Sequence, residues 1–446
     1  MLARVTRAAA ARSVHNALTV NSISSAFTKR SAQQTPATAA AAHARRFASK
    51  RNATPQRQQP PPSEPVAEGP PRPRATKEEL IYEAKEMLKL AIGGTAAIIA
   101  LVATSGYVIE TTKQWNPIPA PGTMVHFQDA EGRPVSVHMQ KQGSGQFTVI
   151  FDGGVGETSF DWDKVMDEVA KFATVVCIDR PGLGFSPPGP LPRTSMQIAS
   201  EYKQLLKQLN ISPQVILVGH GAGGYNMRQL AEELEGDAND TGLICEGLVL
   251  VDALQEDLRR DLESVSPAVQ ESLETMDANG ETVLNLSRFG VIRMINNIQR
   301  DKFVKRYSPI ALPYVEYFLP SPAHRQGALW ENQAIPLTEE RFRNTPTFEG
   351  FEFPCVVLSH SEADMFDGMK ANPGIDIGAI SAMERKWQDA QDKLAEGVSS
   401  QPSVHIRVPD VGHNIQHDQP EEITRVVRAL VAELLDGGSV EGLKSL

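Results

Sequence analysis

The sequence predicts an α/β fold in which a mainly parallel β-sheet is covered by helices on both faces. Between residues 125 and 435, short apolar runs rich in β-branched residues alternate with amphipathic helical patterns, as in βαβ units. The runs are apolar at consecutive positions, which is typical of strands buried on both faces. Polar or glycine-rich loops follow several of these strands, at the edge where such sheets carry their sites.

The N-terminal region differs in composition from the rest of the chain. The first 60 residues contain eight Arg, two Lys and no acidic residue, whereas the whole chain has a formal charge of −10. Residues 1–50 therefore predict a mitochondrial transit peptide, with a disordered basic tail as the alternative. Residues 51–75 are Pro-rich and predict a disordered linker. The acidic remainder argues against a nucleic acid partner, because phosphate binding needs clustered Lys and Arg.

Residues 76–112 predict a helix that continues into a membrane span. Residues 90–109 contain no charged side chain, and as a helix they are about 30 Å long, enough to cross a bilayer. A buried core helix is the alternative, but charged residues flank this stretch and it precedes the sheet-forming part. We expect a single-pass protein of a mitochondrial membrane, the inner one by preference, with the side of the globular part left open.

The globular part can be divided into strands and helices in order. Residues 123–128 and 135–140 alternate apolar and polar side chains and predict an antiparallel hairpin. Buried strands are predicted at residues 147–151, 173–178, 215–218, 246–251, 354–359 and 403–408. Helices are predicted at residues 161–172, 194–209 and 225–234 and after Pro420. Residues 254–345 interrupt the alternation with mostly helical patterns.

A glycine-dense corner joins the strand before it to the helix after it. Residues 219–224 read Gly-His-Gly-Ala-Gly-Gly, in the strand–turn–helix context of the nucleophile elbow G-x-S-x-G. Gly219 and Gly223 occupy the outer positions, where a side chain would clash in so tight a turn. The central position is Gly221, which has neither a hydroxyl nor a thiol.

Two motifs make the chain resemble the α/β-hydrolase superfamily, in particular its single-domain, esterase-like members with a cap. Residues 179–186 read Asp-Arg-Pro-Gly-Leu-Gly-Phe-Ser, and residues 216–224 read Ile-Leu-Val-Gly-His-Gly-Ala-Gly-Gly. The resemblance implies a core at residues 120–253 and 346–440 and a helical cap at residues 254–345. It departs from the family at Gly221, where the family has its nucleophilic serine. The NDR-like proteins, a non-enzymatic branch, also carry glycine there.

The resemblance implies the other members of a catalytic triad. Gly412-His413, shortly before a Pro-Glu helix start, matches the catalytic histidine of the family. Its acid partner is expected in the loop after the seventh strand, with Asp364 as first choice and Glu362 as second. Asp252, after the sixth strand, is the third choice. His413 held by a carboxylate would have no hydroxyl to activate at the corner.

Other residues are implied to frame this site. The backbone N–H groups of Val155 and Ala222 are expected to form the oxyanion hole. His220 is expected to pack structurally, and His417 is expected on the surface of its loop. The aromatic side chains of the insertion either line an apolar acyl or aryl cavity or form the insertion's own core; they are Phe289, Tyr307, Tyr314, Tyr317, Phe318 and Trp330.

The glycine at the corner decides the predicted function. Removing the nucleophile of a triad enzyme costs roughly 10⁶ in turnover. We therefore expect a membrane-anchored binding or scaffold module without serine hydrolase activity, with a small apolar or acyl ligand. One alternative is a hydrolase in which His413 activates water directly. Another is a structural subunit that contacts mitochondrial membrane proteins. The sequence contains no metal-binding, phosphate-binding or dinucleotide motif, so no cofactor is expected.

Overall fold

The computed structural model describes residues 76–236, 241–345, 350–361, 365–400 and 403–437. By internal contacts the described chain separates into two units, divided between residues 100 and 101. The predicted transit peptide and Pro-rich linker lie outside the described residues. So do Asp364 and Glu362, the first two choices for the triad acid.

Helix α1 (Lys77–Trp115) is one continuous helix of 39 residues, where the sequence predicts a helix followed by a span. It is long and apolar enough to cross a membrane, and none of its most apolar stretch is buried. The hydroxyls of Thr95, Thr111 and Thr112 each donate to the carbonyl four residues earlier. Each of these three hydroxyls is thus satisfied within the helix and needs no hydrogen-bond partner in the surroundings.

The sheet confirms the predicted fold class. In the described chain it has eight strands in the order β1-β2-β4-β3-β5-β6-β7-β8. Strands β1 and β2 form the expected antiparallel hairpin, β2 pairs antiparallel with β4, and the other pairs are parallel. The strands are β1 (Thr123–Gln128), β2 (Pro134–Gln142), β3 (Phe147–Asp152), β4 (Thr174–Asp179), β5 (Gln214–His220), β6 (Ile244–Val251), β7 (Cys355–His360) and β8 (Val404–Val408).

Helices cover both faces of the sheet and explain why its strands are apolar throughout. On one face, strand residues such as Leu217 pack in a cluster with Tyr202 and Met227. On the other face, Val218 packs in a cluster with Trp162 and Val426. Adjacent strand residues therefore face two separate cores. Apart from α1, the described α-helices outside the insertion are α2 (Asp163–Val169), α3 (Ser195–Leu206), α4 (Gly223–Glu235), α11 (Ile377–Gly397), α12 (Ile415–Asp418) and α13 (Pro420–Asp436).

The insertion between β6 and β7 is helical in its described residues, as predicted. Its helices are α5 (Leu258–Glu263), α6 (Pro267–Arg288), α7 (Val291–Ile298), α8 (Arg300–Arg306), α9 (Leu312–Phe318) and α10 (Pro322–Arg343). Two of its predicted aromatic residues, Tyr307 and Phe318, are buried in one cluster with Phe160 of the sheet-forming part. Tyr314 stacks on Phe160, and Tyr317 stacks on Phe185. This packing favours the interpretation of these aromatic residues as structural core.

The C-terminal part of α1 is clamped against the insertion. Arg293 donates two hydrogen bonds to the Glu110 carboxylate, at 2.6 and 2.9 Å, and both residues are buried. A Cβ atom at Gly106 would lie 1.8 Å from the carbonyl oxygen of Phe289, so only glycine allows this approach. The Tyr317 hydroxyl donates to the carbonyl of Lys113. The insertion is thus fixed to residues 106–113.

We expect Glu110→Gln to lower the free energy of unfolding by about 3 kcal/mol, because it leaves the buried Arg293 guanidinium without its counter-charge. The matched control is Glu316→Gln, which breaks the exposed pair between Glu316 and Arg300 in the same insertion and should cost less than about 1 kcal/mol. Denaturant unfolding of the detergent-solubilised full chain measures both. Equal losses in the two variants would contradict the clamp.

Candidate functional site

The glycine-dense corner forms the strand–turn–helix bend that the sequence predicts. Strand β5 ends at His220 and α4 begins at Gly223. A Cβ atom at Gly219 would lie 2.5 Å from the carbonyl oxygen of Gly223, and one at Gly223 would lie 2.5 Å from that of Asp152. Both distances are shorter than any real contact, so the backbone packing excludes side chains at the two outer positions.

Gly221 differs from its flanking glycines. A Cβ atom there would lie 3.5 Å from Cα of Gly154 and 3.7 Å from Nε2 of His413, which are ordinary van der Waals distances. Its φ of +54° lies in the left-handed region, which costs other residues about 1 kcal/mol. Packing alone therefore does not require glycine at this position, and a side chain there would point towards the His413 ring.

His413 is held by Asp252. The Nδ1–H group of His413 donates to Oδ2 of Asp252 at 2.6 Å, which leaves Nε2 facing the Gly221 position. Burial and the nearby His220 lower the pKa of His413, and Asp252 only partly opposes them. The His413 side chain is 19% exposed, so solvent reaches it. At neutral pH the ring is uncharged and can accept a proton on Nε2.

Asp252, the third choice of the sequence, is the described carboxylate that contacts His413. It follows β6 directly, with φ of +44°, and its side chain is fully buried. The indole N–H of Trp387 donates to its Oδ1 at 2.9 Å. Burial would raise the pKa of Asp252, but the charge of His360 and the hydrogen bonds of His360 and His413 hold it below the usual range. The preferred Asp364 lies outside the described residues.

Sequence reasoning missed His360, the last residue of β7. Its Nδ1 lies 2.8 Å from Oδ2 of Asp252, and its Nε2 lies 2.6 Å from Oε1 of Glu384. Both nitrogens face carboxylates, so both carry protons. Burial alone would lower the pKa of His360, but Asp252 and Glu384 raise it to about 10. In the sequence His360 stands directly before a polar loop, which is a weak signal for a functional residue. Its partner Glu384 lies on a separate helix, so no local pattern links the two residues.

A second histidine–carboxylate pair lies beside the first. His220 Nδ1 is 2.8 Å from Oε2 of Glu157, and His220 Nε2 is 3.0 Å from the backbone oxygen of His413. Burial opposes charge on His220, but Glu157 raises its pKa. The two rings of His220 and His413 have centroids 4.5 Å apart. His220 therefore packs structurally, as expected, and Glu157 favours the protonated form of its ring next to His413.

His417 corrects one expectation. The sequence places it on the loop surface, but it is buried, and its Nε2 lies 3.2 Å from Oδ1 of Asp161. Helix α12 turns this residue inward, so loop polarity was a poor guide to exposure. Within the described ranges, no group of three or more His, Cys, Asp or Glu side chains has the geometry of a metal site.

Arg180 holds the loop after β3 by hydrogen bonds to its backbone. The guanidinium donates to the carbonyl oxygens of Gly153 and Gly154 at 2.9 and 2.7 Å. A trans peptide points its C=O and the next N–H in opposite directions. The N–H of Gly154 accordingly points away from Arg180 and reaches Glu157 at 2.7 Å. The N–H of Val155, in the following peptide, points away from Arg180 as well.

Comparison with known proteins agrees with this geometry. The profile of a family described as the Alpha/beta hydrolase family matches residues 149–426. Among curated proteins, the uncharacterized protein YqjL of Bacillus subtilis is 30% identical over 83 residues, which are 19% of this chain and 33% of that protein. The dihydrolipoyllysine-residue acetyltransferase component of the acetoin cleaving system of Cupriavidus necator is 33% identical over 105 residues, 24% of this chain and 27% of that protein. The chain thus spans a third or less of these relatives.

Solved structures resemble this chain over most of their own length. A thermophilic esterase from Thermogutta terrifontis has 17% identity and a TM-score of 0.46, covering 70% of this chain and 99% of that chain. A probable hydrolytic enzyme from Pseudomonas aeruginosa has 16% identity and a TM-score of 0.49, covering 70% and 95%. Identities this low carry no information on the reaction.

We expect Gly219→Ala to destabilise the chain by about 3 kcal/mol, since its Cβ atom meets backbone atoms that cannot move independently. The matched control is Gly221→Ala, which should cost about 1 kcal/mol, because only the left-handed φ opposes it. Denaturant unfolding of the purified full chain checks the pair. A Gly221→Ala loss as large as that of Gly219→Ala would show that packing does require glycine at the centre.

The charged His360 predicts a dependence of stability on pH. Because folding raises its pKa from about 6.5 to about 10, its contribution is complete below pH 6.5 and is lost as the pH rises towards 10. The stability difference between wild type and His360→Gln should therefore shrink over this interval.

Unfolding midpoints measured at several pH values check this. The control is His405→Gln: burial and Arg407 lower the pKa of His405, so its contribution does not change above pH 6.5. A constant difference between wild type and His360→Gln would contradict a charged His360.

Proposed function

This chain belongs to the alpha/beta hydrolase family, and we propose that it is a membrane-anchored member that binds a small apolar or acyl ligand without serine hydrolase activity. One observation carries the proposal. Gly221 occupies the nucleophile position, with room for a side chain 3.7 Å from Nε2 of His413. We assign His413, with its partner Asp252, to the rest of such a site, in which the attacking oxygen is absent. Covalent acyl transfer of the usual kind has no nucleophile here.

The polar groups around Gly221 suit a carbonyl or carboxyl group. We assign Val155 and Ala222 as backbone N–H donors, since α4 begins one residue after Ala222 and the Val155 N–H points away from Arg180. His413 adds a neutral imidazole that contacts the same space. An acyl group could therefore be held by hydrogen bonds without being attacked.

The apolar helix α1 supports the membrane anchor. We further propose a mitochondrial membrane, the inner one by preference, from the Arg-rich and acid-free composition of residues 1–50. A scaffold role towards other mitochondrial membrane proteins belongs to the same proposal.

A second candidate function is hydrolysis with His413 as a general base for water. The orientation of the ring favours it: Asp252 holds Nδ1–H, and the lowered pKa keeps Nε2 unprotonated at neutral pH. The space next to Gly221 would admit the water molecule that the base activates. In this mechanism water attacks the acyl carbon directly and its proton passes to Nε2 of His413. The tetrahedral intermediate then breaks its bond to the alcohol oxygen, which takes the proton from Nε2 as it leaves, so the products are the acid and the alcohol.

A fluorophosphonate probe tests the leading proposal. We expect no labelling of the wild-type chain and stoichiometric labelling of Gly221→Ser, because the serine oxygen would lie within hydrogen-bond reach of Nε2 of His413. The double variant Gly221→Ser/His413→Gln should label at least about 10³-fold more slowly. Labelling of the wild type would refute the proposal. An unreactive but folded Gly221→Ser would show that the remaining site is not in catalytic order.

Turnover of short-chain and long-chain aryl esters separates the two candidate functions. Direct hydrolysis predicts slow turnover by the wild-type chain that His413→Gln abolishes, with His405→Gln as a control that leaves it unchanged. The binding module predicts no turnover above buffer in either variant. It also predicts saturable binding of a fluorescent fatty acid that weakens when Gly221→Trp fills the site.

A further inference from the structure

Residues 288–306 of the insertion form a basic surface on the otherwise acidic globular part. They contain six Arg or Lys and one acidic residue, in a chain whose formal net charge is −10. Two short helices, α7 and α8, cover most of this stretch. Four large apolar side chains on it are exposed, Phe289, Met294, Ile298 and Val304. Exposed apolar side chains together with basic ones are typical of helices that lie in a membrane interface.

This surface is continuous with the C-terminal part of α1. A groove of about 360 Å³ runs between residues 106–110 and α7, and Ile109, Met294 and Ile298 line it. Glu110, the first charged residue after the apolar stretch, forms the buried pair with Arg293. The apolar stretch thus ends where α7 is attached. A bilayer crossed by residues 90–109 would have its polar interface at this level.

The basic side chains flank the apolar ones. Arg288 precedes Phe289, and Lys302 and Lys305 follow Ile298 on α8; all three are exposed. Exposed Lys and Arg beside a membrane surface each contribute about 1 kcal/mol when the headgroups are anionic. Arg293 does not count towards this attraction, since Glu110 neutralises it.

We propose that the surface formed by residues 288–306 docks on the anionic face of the same bilayer that α1 crosses. Phe289, Met294 and Ile298 enter the interface, and Lys302 and Lys305 contact the headgroups. This proposal rests on the membrane anchor proposed above. It adds that the insertion itself binds the lipid surface.

Site-specific fluorescence of the full chain in vesicles tests the docking. The three cysteines of the chain, Cys177, Cys245 and Cys355, are buried, so a new surface cysteine can be labelled selectively with an environment-sensitive dye. Ile298→Cys reports on the proposed surface. Ile377→Cys is the matched control, because Ile298 and Ile377 are 77% and 74% exposed and both lie on helices.

In phosphatidylcholine vesicles containing phosphatidylserine, we expect a blue-shifted dye at position 298. Acrylamide should quench it at least about threefold less than the dye at 377, and nitroxide lipids should quench only position 298. Lys302→Glu/Lys305→Glu should reduce this protection. Equal acrylamide quenching at 298 and 377 would overturn the docking. Equal protection of position 298 in vesicles without phosphatidylserine would refute the requirement for anionic headgroups.

A third label separates this inference from the anchor and from the proposed function. Ile98→Cys lies within the apolar stretch and must be protected from acrylamide in all vesicles. Protection at 98 without protection at 298 leaves the anchor in place and refutes the docking alone. Exposure of position 98 refutes both. Neither result changes the reactivity of Gly221→Ser towards the phosphonate probe, which reports on the site.

Discussion

The Arg180 guanidinium lies where three parts of the chain meet, and the order of the site depends on its five hydrogen bonds. It donates to Asp152 at the end of β3 at 2.6 Å, to the carbonyl oxygens of Gly153 and Gly154, and twice to Glu331 of α10 at 2.6 and 2.8 Å. All five N–H groups of the guanidinium are thus used. The side chain is almost completely buried, so none of these bonds competes with water.

This interaction connects the sheet, the loop beside Gly221 and the insertion. Asp152 also accepts hydrogen bonds from Tyr202 on α3 and from Asn226 on α4, so the helix that follows the corner is fixed to the same carboxylate. The Glu331 carboxylate also accepts a hydrogen bond from the backbone N–H of Gly156. A buried ion pair of this kind adds little net stability over an apolar core, but removing one partner is costly. We infer that its role is to fix one arrangement of loop and insertion.

The fold and part of the site could be predicted from the sequence because their signals are local. The corner at Gly221 and the Gly412-His413 turn are short motifs, and the structure brings these two positions together. The partners of His413 were harder to predict. In the sequence, Asp252 follows β6 and Asp364 comes four residues after the end of β7, and no local pattern distinguishes the two as partners of His413. His360 and Glu384 are 24 positions apart, and no sequence pattern indicates that pair.

The charges around His413 and the backbone conformation at Gly221 both fit a site that has no nucleophile. Asp252 is paired with His360 and Glu157 with His220, so a neutral imidazole lies between two compensated pairs. The groups of such a site can stabilise charge in a transition state only if a nucleophile attacks the substrate and creates that charge. A serine at φ of +54° would strain the corner by about 1 kcal/mol, which enzymes tolerate in return for catalysis. Glycine removes that strain, and under the proposed function it removes covalent acyl transfer as well. The hydrogen bonds of Arg180 hold the loop and the insertion in either case.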